Sequence, residues 1–436
     1  MIDDEAGPSL EETVSGGALL PDVDAEESST RVRMFESLED PSFRWFFAAL
    51  TSQMASLNMQ ILVRGVLVFE LTNSYSALGL VSLANAVPGI ALSLAGGIVA
   101  DRARQKKYVV QAGQLASALN AAAVAAAIFA GDLTFGLLMV TAVIQGTIQA
   151  LMMPARQAML REVAGLDRLN NAVALGSASS NSMRLLAPAA GGVLFTLVGP
   201  EWVYVLMMSF YLFAAATLYK VAPVNLDDQD EVLPKAQKDD SGSMADGLRY
   251  VMRNDALRVT LLVNLAFVVL SMPYLRLLPG YVTDVMHEGP DKLGYLLSLT
   301  GVGSLAGALW VATLPPKRRG QLYLIASLLQ GIALIAFSAS SWFWVSVPIM
   351  LVLGLGQVGR QSFGNVLVQQ YTDDAYRGRV MSIYMLQFSL TSLGAFLVGL
   401  LASAIGAQEA LGGTSIALVL CAIFCLAFIP RLRNLQ

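Results

Sequence analysis

The stretch SALGLVSLANAVPGIALSLAGGIVADRARQKK occupies residues 76–107. Its first 25 residues carry no charged side chain, and its last seven hold one acidic and four basic residues. A helix needs roughly 20 apolar residues to cross the hydrocarbon core of a bilayer. The stretch therefore predicts a membrane-spanning helix that ends at a basic loop.

The same pattern recurs along the whole 436-residue chain. Hydrophobic side chains make up 55% of the residues and charged ones only 14%, too few to cover a water-soluble protein of this length. Lipid is therefore expected to cover much of the surface. Weakly charged runs predict twelve spans, at residues 45–69, 77–99, 108–130, 134–155, 171–197, 203–222, 257–284, 293–315, 321–339, 342–366, 380–405 and 411–430.

Basic residues in the loops are distributed asymmetrically. If both termini are cytoplasmic, Lys292 is the only basic residue in the outer loops. The cytoplasmic side then carries Arg102, Arg104, Lys106, Lys107, Arg156, Arg161, Arg168, Lys317, Arg318, Arg319, Arg377, Arg379, Arg431 and Arg433. Cytoplasmic loops of membrane proteins show such an excess of Lys and Arg. The sequence therefore predicts a multi-pass protein of the cell membrane with both termini in the cytoplasm.

Composition divides the chain into four parts. Residues 1–40 hold 12 acidic and 2 basic side chains, a balance typical of a disordered tail. A second polar stretch separates the first six spans from the last six and is predicted to be a linker with a short amphipathic surface helix. We therefore expect a cytoplasmic tail over residues 1–41, a six-helix bundle over 42–222, the linker over 223–256 and a second bundle over 257–432.

The two sets of six spans show signs of an internal repeat. Equivalent positions are separated by constant offsets, which are 215 residues for one group and 207 for the other. They pair Leu78-Gly79 with Leu293-Gly294, and Val173, Gly192 and Gly199 with Val380, Gly399 and Gly406. A true repeat predicts an all-α membrane protein of two pseudo-symmetric six-helix bundles. Chance similarity of apolar runs is the alternative.

The loop after the second span resembles a motif of the major facilitator superfamily. Residues 97–107, GIVADRARQKK, are similar to the superfamily pattern G-x-L-A-D-R-x-G-R-K, although Arg104 replaces a glycine and Gln105 a basic residue. The resemblance covers about residues 42–432 and implies the major facilitator fold. It also implies a cytoplasmic gate between the loop after the second span and the start of the eleventh span, formed by Gly97, Asp101, Arg102, Lys106, Arg377 and Arg379. The alternative is that these charges only orient the loops.

Further resemblances point to exporters of this superfamily. Residues 187–192, APAAGG, are similar to the G-P-x-x-G-G motif of antiporters, in which Pro188, Gly191 and Gly192 are expected to let the fifth span bend. Plain helix packing is the alternative. Stretches at 69–74, 247–251 and 377–380 look like the branch that holds enterobactin exporters and macrolide efflux carriers.

This resemblance implies a monomer in the bacterial inner membrane that is coupled to an ion, expected to be the proton. One departure concerns the fourth span, where Ala142 stands at the position of an arginine in standard drug/proton antiporters. Proton coupling that depends on this arginine is therefore not expected in this chain.

Four arginines lie inside predicted spans, where a charge facing lipid costs at least about 2.5 kcal/mol. Arg64 and Arg276 fall in equivalent spans of the two halves, and each precedes a carboxylate near the outer face, Glu70 or Asp284. We expect these four residues to form an outer gate or to carry the coupling ion. Snorkelling of both arginines to the outer interface is the alternative.

Arg184 and Arg360 lie in the fifth and tenth spans, nearer the middle of the membrane. We expect them to face a central cavity, where guanidinium groups would favour a substrate that carries a carboxylate, catecholate or phosphate. The polar residues expected to complete this lining are Asn58, Gln60, Asn181, Gln357 and Gln361. Hydrogen bonding within and between the helices is the alternative.

Together these features predict a secondary active transporter that exports a small organic solute by alternating access. Import or lysolipid flipping by the same fold is one alternative, and a non-transporting membrane receptor or scaffold is another. The sequence contains no Ser/His/Asp or Cys/His grouping, no metal-ligand spacing and no phosphate-binding loop. We therefore expect no enzymatic activity, no metal or other cofactor and no nucleic-acid partner.

Overall fold

The structure is a computed structural model, in which the described residues are 36–92, 96, 99, 103, 105–165, 168–222, 244–314, 317–433 and 435. These residues are almost entirely helical and contain no β-strand. Most of the predicted acidic tail and residues 223–243 of the predicted linker lie outside this set. The two predicted six-span regions account for nearly everything that the structure describes.

Six helices form the first region: α1 (Pro41–Thr72), α2 (Tyr75–Ala91), α3 (Lys106–Ala130), α4 (Phe135–Ala164), α5 (Leu169–Val198) and α6 (Pro200–Tyr219). After the short α7 (Met244–Arg253), the second region contains α8 (Asp255–Ser271), α9 (Tyr274–Asp284), α10 (Pro290–Thr313), α11 (Arg319–Ser338), α12 (Phe343–Gln370), α13 (Arg377–Ile405) and α14 (Ala407–Phe428). Within the described chain, eleven spans are long and apolar enough to cross a membrane, with α8 and α9 counting as one. The remaining predicted span is α2, which is described as a helix up to Ala91.

Capping residues in short loops set the helix boundaries. Asp40 accepts hydrogen bonds from two amides in the first turn of α1, and Ser74 and Thr134 each cap the helix that follows them. Gly199 and Gly406 end α5 and α13 with φ angles of 94° and 100°, which other residues rarely adopt. These two glycines are one of the pairs in the 207-residue repeat. Consecutive helices therefore turn back at equivalent places in the two regions.

The two regions pack in the same way. In the first region α1 contacts α5 and α6, and α3 contacts α4 and α6. In the second, α8 contacts α13 and α14, and α11 contacts α12 and α14. Between the regions, α2 packs on α13 and α5 packs on α10. A two-fold relation that exchanges the regions converts each of these contacts into its counterpart, as expected for parallel repeats.

The regions approach most closely at one end of the bundle, the tight end, where α1 ends and α2 begins. A Cβ atom on Gly79 of α2 would lie 2.6 Å from the Ala395 carbonyl oxygen of α13. A Cβ atom on Gly399 of α13 would lie 2.6 Å from the Tyr75 carbonyl oxygen of α2. Only glycine at these two positions lets the helix backbones touch.

The equivalent pair of helices, α5 and α10, makes the same kind of contact. A Cβ atom on Gly294 of α10 would lie 2.5 Å from the Pro188 carbonyl oxygen of α5, and one on Gly192 of α5 would meet the Pro290 carbonyl of α10. Gly294 and Gly192 are the repeat counterparts of the two glycines that join α2 to α13. Repeat-related glycines therefore form both seams between the regions.

Side-chain hydrogen bonds also join the regions between the tight end and the middle of the bundle. They run from Tyr75 Oη to Asp284 Oδ2 (3.0 Å), from the Ser76 amide to Ser403 Oγ (3.0 Å), between Ser82 Oγ and Ser392 Oγ (3.2 Å), and from Ser298 Oγ to the Leu185 carbonyl. Each bond belongs to the α2–α13 or α5–α10 seam or to the adjacent α9. The tight end is closed by direct contact.

Both ends of the described chain lie at the opposite end of the bundle, the basic end, where α3, α5, α11 and α13 begin. The Ser37 amide donates a hydrogen bond to Asn171 Oδ1 near the start of α5, at 3.1 Å. The Gly320 amide at the start of α11 donates to the Leu435 carbonyl, also at 3.1 Å. The two ends of the described chain are therefore on the same side of the bundle.

The predicted surface helix of the linker is present as α7, and it lies at the basic end. Tyr250 of α7 stacks on Tyr376, with ring centroids 4.1 Å apart. Val251 is buried, whereas Leu248 and Met252 are exposed. One face of α7 thus packs on the second region, and the other presents apolar side chains outward.

We expect Gly399→Leu to weaken the closed tight end. A side chain there meets the Tyr75 backbone, which no rotamer change relieves. Overpacking of this kind costs about 1–3 kcal/mol, which corresponds to about a 5- to 150-fold larger population with the tight end open. Distances between spin labels at Asn73 and Glu288, in loops of opposite regions, report this change. Gly413→Leu is the matched control because Gly413 has open space around it; the same distance distribution in both variants would contradict the prediction.

Candidate functional site

A cavity lies between the two regions, from the middle of the bundle toward the tight end. It has a volume of about 230 Å³ and is lined by α1, α2 and α4 of the first region and by α9 of the second. Its polar lining residues are Gln60, Arg64, Ser82, Asn85, Gln145, Gln149 and Arg276, and its apolar ones include Leu57, Ile61, Val68, Leu78, Val81, Leu275 and Pro279. No carboxylate is among the described lining residues. Two of the four span arginines therefore share one cavity.

Arg64 of α1 is a buried charge in the wall of this cavity. Only 7% of its surface is exposed, and its Nε and Nη2 atoms have no hydrogen-bond partner among the described residues. Tyr204 and Tyr211 of α6 lie near the guanidinium, and the Tyr204 hydroxyl is close enough to accept from Arg64, although no hydrogen bond of standard geometry forms between them. Gln60, one helical turn before Arg64, has an unpartnered Nε2. This wall therefore presents several hydrogen-bond donors and, among the described residues, no negatively charged acceptor.

Arg276 reaches the same cavity from the second region. It lies on α9, which follows a break in the seventh span at Pro273. Arg276 is close enough to Arg64 for the two positive charges to repel each other. No side-chain hydrogen bond or ion pair to Arg276 occurs among the described residues. Both guanidinium groups face a cavity in which the described residues supply no compensating negative charge.

The two carboxylates predicted to act with these arginines lie elsewhere at the tight end. Glu70, in the last turn of α1, is exposed. Asp284, at the end of α9, accepts the hydrogen bond from Tyr75 across the seam. Neither forms an ion pair with Arg64 or Arg276 in the described structure. Asp284 therefore joins the regions, while the arginines remain available to the cavity.

Arg360 occupies a different environment, a polar cluster inside the second region. It is 1% exposed, and its Nε donates to Gln330 Oε1 at 3.0 Å while its Nη1 donates to Asn264 Oδ1 at 3.4 Å. Asn264 Nδ2 in turn donates to Gln387 Oε1 at 3.3 Å. Neutral amide oxygens thus satisfy this guanidinium, and Arg360 does not line the cavity between the regions.

Three other residues predicted to line a cavity lie outside this one, and the side chains of two of them are held by hydrogen bonds. Gln357 is buried and accepts a hydrogen bond from the Tyr274 hydroxyl at 3.0 Å. The Asn58 side chain donates to the Met54 carbonyl of its own helix at 2.8 Å. Gln361 is half-buried on the same helix as Gln357. Of the five predicted polar lining residues, Gln60 is the one in the cavity described above.

Asn181 and Arg184 remain exposed on α5, between its middle and the basic end. Arg184 is near enough to Tyr274 of the second region to affect it electrostatically. Polar side chains on this part of α5 therefore face away from the buried core of the first region.

The predicted gate at the basic end is only partly described, because Gly97, Asp101 and Arg102 lie outside the described residues. Lys106 forms an ion pair with Glu162 that joins α3 to α4. Arg379 packs against α7 at Gly247, and its guanidinium lies 5.4 Å from the Tyr376 ring centroid. Arg377 is the first residue of α13. The start of α13 is thus tied to the linker helix.

The predicted bend motif lies where three helices meet. Pro188 is inside α5, which continues as a helix to Val198. Gly191 faces Met59 of α1, and Gly192 faces Pro290 of α10. The small residues of this motif form both the α5–α10 seam and the contact of α5 with α1.

Four polar lining residues were not predicted from the sequence as site residues. Gln145 and Gln149 are one turn apart on α4, and Ser82 and Asn85 are one turn apart on α2. Such i, i+3 and i, i+4 polar pairs inside apolar spans mark one helix face. The spacing of these polar residues could have marked the two helix faces in the sequence. In the structure both pairs line the cavity that contains Arg64 and Arg276.

The chain matches the family described as "Transmembrane secretion effector" over residues 33–435. It belongs to this family of the major facilitator superfamily. It is 28% identical over 421 residues to the multidrug efflux pump Tap of Mycolicibacterium fortuitum, covering 92% of this chain and 99% of that one. It is 24% identical to the staphyloferrin A transporter of Staphylococcus aureus (78% and 84% covered) and 22% identical to macrolide efflux protein A of Streptococcus pyogenes (90% and 97% covered). The protein is a membrane transporter of this superfamily.

Solved structures show the same fold. An inward-facing bacterial homologue of the human lysosomal transporter Spinster superposes with a TM-score of 0.73 at 13% identity, over 90% of this chain and 97% of that one. The nucleoside transporter NupG gives a TM-score of 0.72 at 11% identity, over 89% and 99%. The predicted all-α fold of twelve spans in two pseudo-symmetric bundles is confirmed.

We expect Asn264→Leu to destabilise this transporter. The substitution removes the oxygen that accepts from Arg360 Nη1 and leaves a buried guanidinium donor unpaired, at a cost of about 1–3 kcal/mol. The melting temperature of the purified protein in detergent should fall accordingly. Ser209→Ala is the control, because the exposed Ser209 hydroxyl bonds only to the Val205 carbonyl of its own helix. Equal melting temperatures for the two variants would show that Arg360 does not depend on Asn264.

Proposed function

We propose that this transporter exports a small organic solute by alternating access across a bacterial inner membrane, with the tight end facing outward. The observation that carries the proposal is the pair of glycine seams that closes one end of the bundle. Two repeat-related bundles that touch at one end can rock about a site between them. The cavity between the regions lies beside these seams.

Charge supports this orientation of the bundle. Loops at the basic end carry the clustered Lys and Arg residues, whereas Lys292 is the basic residue of the tight-end loops. The excess of basic residues on the cytoplasmic side of membrane proteins favours a cytoplasmic basic end. Both termini are then cytoplasmic, because both ends of the described chain lie there.

The arrangement of contacts supports a state that is open to the cytoplasm. The tight end is closed by backbone contact and by hydrogen bonds such as that between Tyr75 and Asp284. Asn181 and Arg184, inside a span, are exposed toward the basic end. An exposed arginine in a span is favourable only beside water or a polar partner. A water-filled opening on the cytoplasmic side accounts for their exposure.

The relatives suggest which solutes to test first. Their names specify multiple drugs, staphyloferrin A and macrolides. We propose a solute of comparable kind, namely a small organic molecule with apolar surface, because half of the cavity wall is aliphatic.

We propose that Asp284 couples export to the proton gradient. Its carboxylate accepts a hydrogen bond from Tyr75 in the opposite region, and a bond to a charged acceptor is stronger than one to a neutral acceptor. Protonation from the outer side would weaken this bond and favour opening of the tight end. Asp101, acting with Arg377 or Arg379, is proposed to close the basic end in the alternate state.

The test is solute accumulation by energised inside-out vesicles, whose interior corresponds to the outside of the cell. We expect vesicles with the wild-type chain to accumulate staphyloferrin A or erythromycin. Asp284→Asn cannot gain or lose the coupling proton, so it should reduce uphill accumulation by about tenfold or more and should retain exchange of labelled for unlabelled solute.

Glu288→Gln is the control, since it neutralises a nearby tight-end carboxylate outside the seam. Failure of wild-type vesicles to accumulate either solute would contradict export of these classes. Undiminished uphill accumulation by Asp284→Asn would instead contradict the coupling role and leave export standing.

A further inference from the structure

The unpaired donors around Arg64 point to a missing acceptor. Arg64 Nε and Nη2 and Gln60 Nε2 are buried and have no partner in the described residues. Gln149 Nε2, in the facing wall on α4, is also unpartnered. Buried polar groups in proteins nearly always have a hydrogen-bond partner. The shared requirement of these four atoms is a group that accepts hydrogen bonds from several directions.

The charge of the cavity specifies that group further. Arg64 and Arg276 bring two positive charges to one small space, and the lining contains no carboxylate among the described residues. Two like charges in a medium of low polarity repel strongly unless a negative charge lies between them. Glu70 is exposed, and Asp284 is engaged by Tyr75. An anion in the cavity would pair with both guanidinium groups.

The simpler structural explanation does not fit the geometry of Arg64. A snorkelling arginine places its head group in water, but Arg64 is 7% exposed and lies about two turns from the end of α1. An arginine that only braces helices donates to backbone or amide oxygens, as Arg360 does with Gln330 and Asn264. Arg64 Nε and Nη2 have no backbone or amide oxygen as partner among the described residues, and the neighbouring Tyr204 hydroxyl is a neutral group that cannot balance the charge.

We propose that Arg64 and Arg276 together bind the carboxylate, or a similar anionic group, of the exported solute. The statement that the solute is exported rests on the proposed function. Binding of the anion by the two arginines does not depend on it. Guanidinium groups present fixed pairs of donors that match a planar carboxylate. The aliphatic wall formed by Leu57, Ile61 and Leu275 takes the apolar part of the same molecule.

The location of the two arginines gives this site a role in release. Arg64 belongs to α1 of the first region and Arg276 to α9 of the second, so the anion bridges the regions. Opening the tight end separates the regions and therefore divides the pair. Affinity for the anion falls in the outward-open state, and a ligand that binds two states unequally is released from the weaker one. The site thus binds from the cytoplasm and releases outside.

The experiment measures binding of three ring-matched probes to the full chain in phosphatidylcholine nanodiscs: 2-naphthoate, 2-naphthylmethanol and 2-naphthylmethylammonium. We expect 2-naphthoate to bind at least tenfold more tightly than the other two. Arg64→Gln and Arg276→Gln should each weaken 2-naphthoate binding at least tenfold and leave 2-naphthylmethanol unchanged. Arg64→Lys keeps the charge and should bind 2-naphthoate with an affinity between those of the wild type and Arg64→Gln. Its retained binding would show that a change at this position leaves the protein folded. Arg249→Gln, at an exposed position on α7 and outside this cavity, should bind as the wild type does.

Equal binding of the anion and the neutral alcohol, or unchanged 2-naphthoate binding in both glutamine variants, would overturn the proposal. Competition of 2-naphthoate by phosphatidylglycerol in the nanodisc would assign the site to a lipid head group instead and would also overturn it. Transport is measured separately as accumulation of 2-naphthoate in inside-out vesicles. Arginine-dependent binding without accumulation would contradict export but not the anion site; arginine-independent accumulation would contradict the site but not export.

Discussion

The close approach of two helix backbones in lipid holds this molecule in the state described. Lipid chains are as apolar as leucine side chains, so helices in a membrane gain little from burying apolar surface against each other. Packing and hydrogen bonding must supply the attraction. Gly79 and Gly399 in one seam, and Gly192 and Gly294 in the other, remove the side chains that would keep the backbones apart. Because each glycine has a repeat counterpart, the same close contact between helix backbones forms both seams.

The seams also determine what the cavity can hold. By closing one end of the bundle, they place α1 and α9 side by side and bring Arg64 and Arg276 to the same space. The chain deals with buried arginine in two different ways. Arg360 is surrounded by amide oxygens within one region and serves that region's stability. Arg64 and Arg276 have no such partners among the described residues and lie between the regions, where the proposed anion would supply the negative charge.

Much of the fold followed from the sequence because hydrophobicity and loop charge are properties of whole segments. Twelve apolar runs, the basic loops and the 207- and 215-residue offsets predict two repeated bundles without knowledge of any side-chain contact. The glycine pairs of the repeat fall in the seams for the same reason, since small residues at equivalent positions indicate equivalent close contacts.

The roles of individual arginines could not be predicted in this way. Arg64 and Arg360 both lie in apolar helices, and their function depends on the direction in which each helix faces after packing. Arg360 faces the interior of its own region, whereas Arg64 faces the cavity between regions. Depth in the membrane, which can be read from sequence, does not determine this rotation. The spacing of Gln145 and Gln149 marks one face of α4, but the cavity that this face meets is visible only once α4 is packed beside α2.

A reversible cross-link across the α2–α13 seam tests the central claim most directly. The Ser76 amide and Ser403 Oγ are 3.0 Å apart, so cysteines at these two positions can be joined across the seam by oxidation or by a short disulfide-containing cross-linker, in a background where Cys421 and Cys425 are replaced by serine. If the closed tight end must open for export, oxidation will stop solute accumulation by inside-out vesicles and reduction will restore it. Full accumulation by protein that is quantitatively cross-linked would contradict the account.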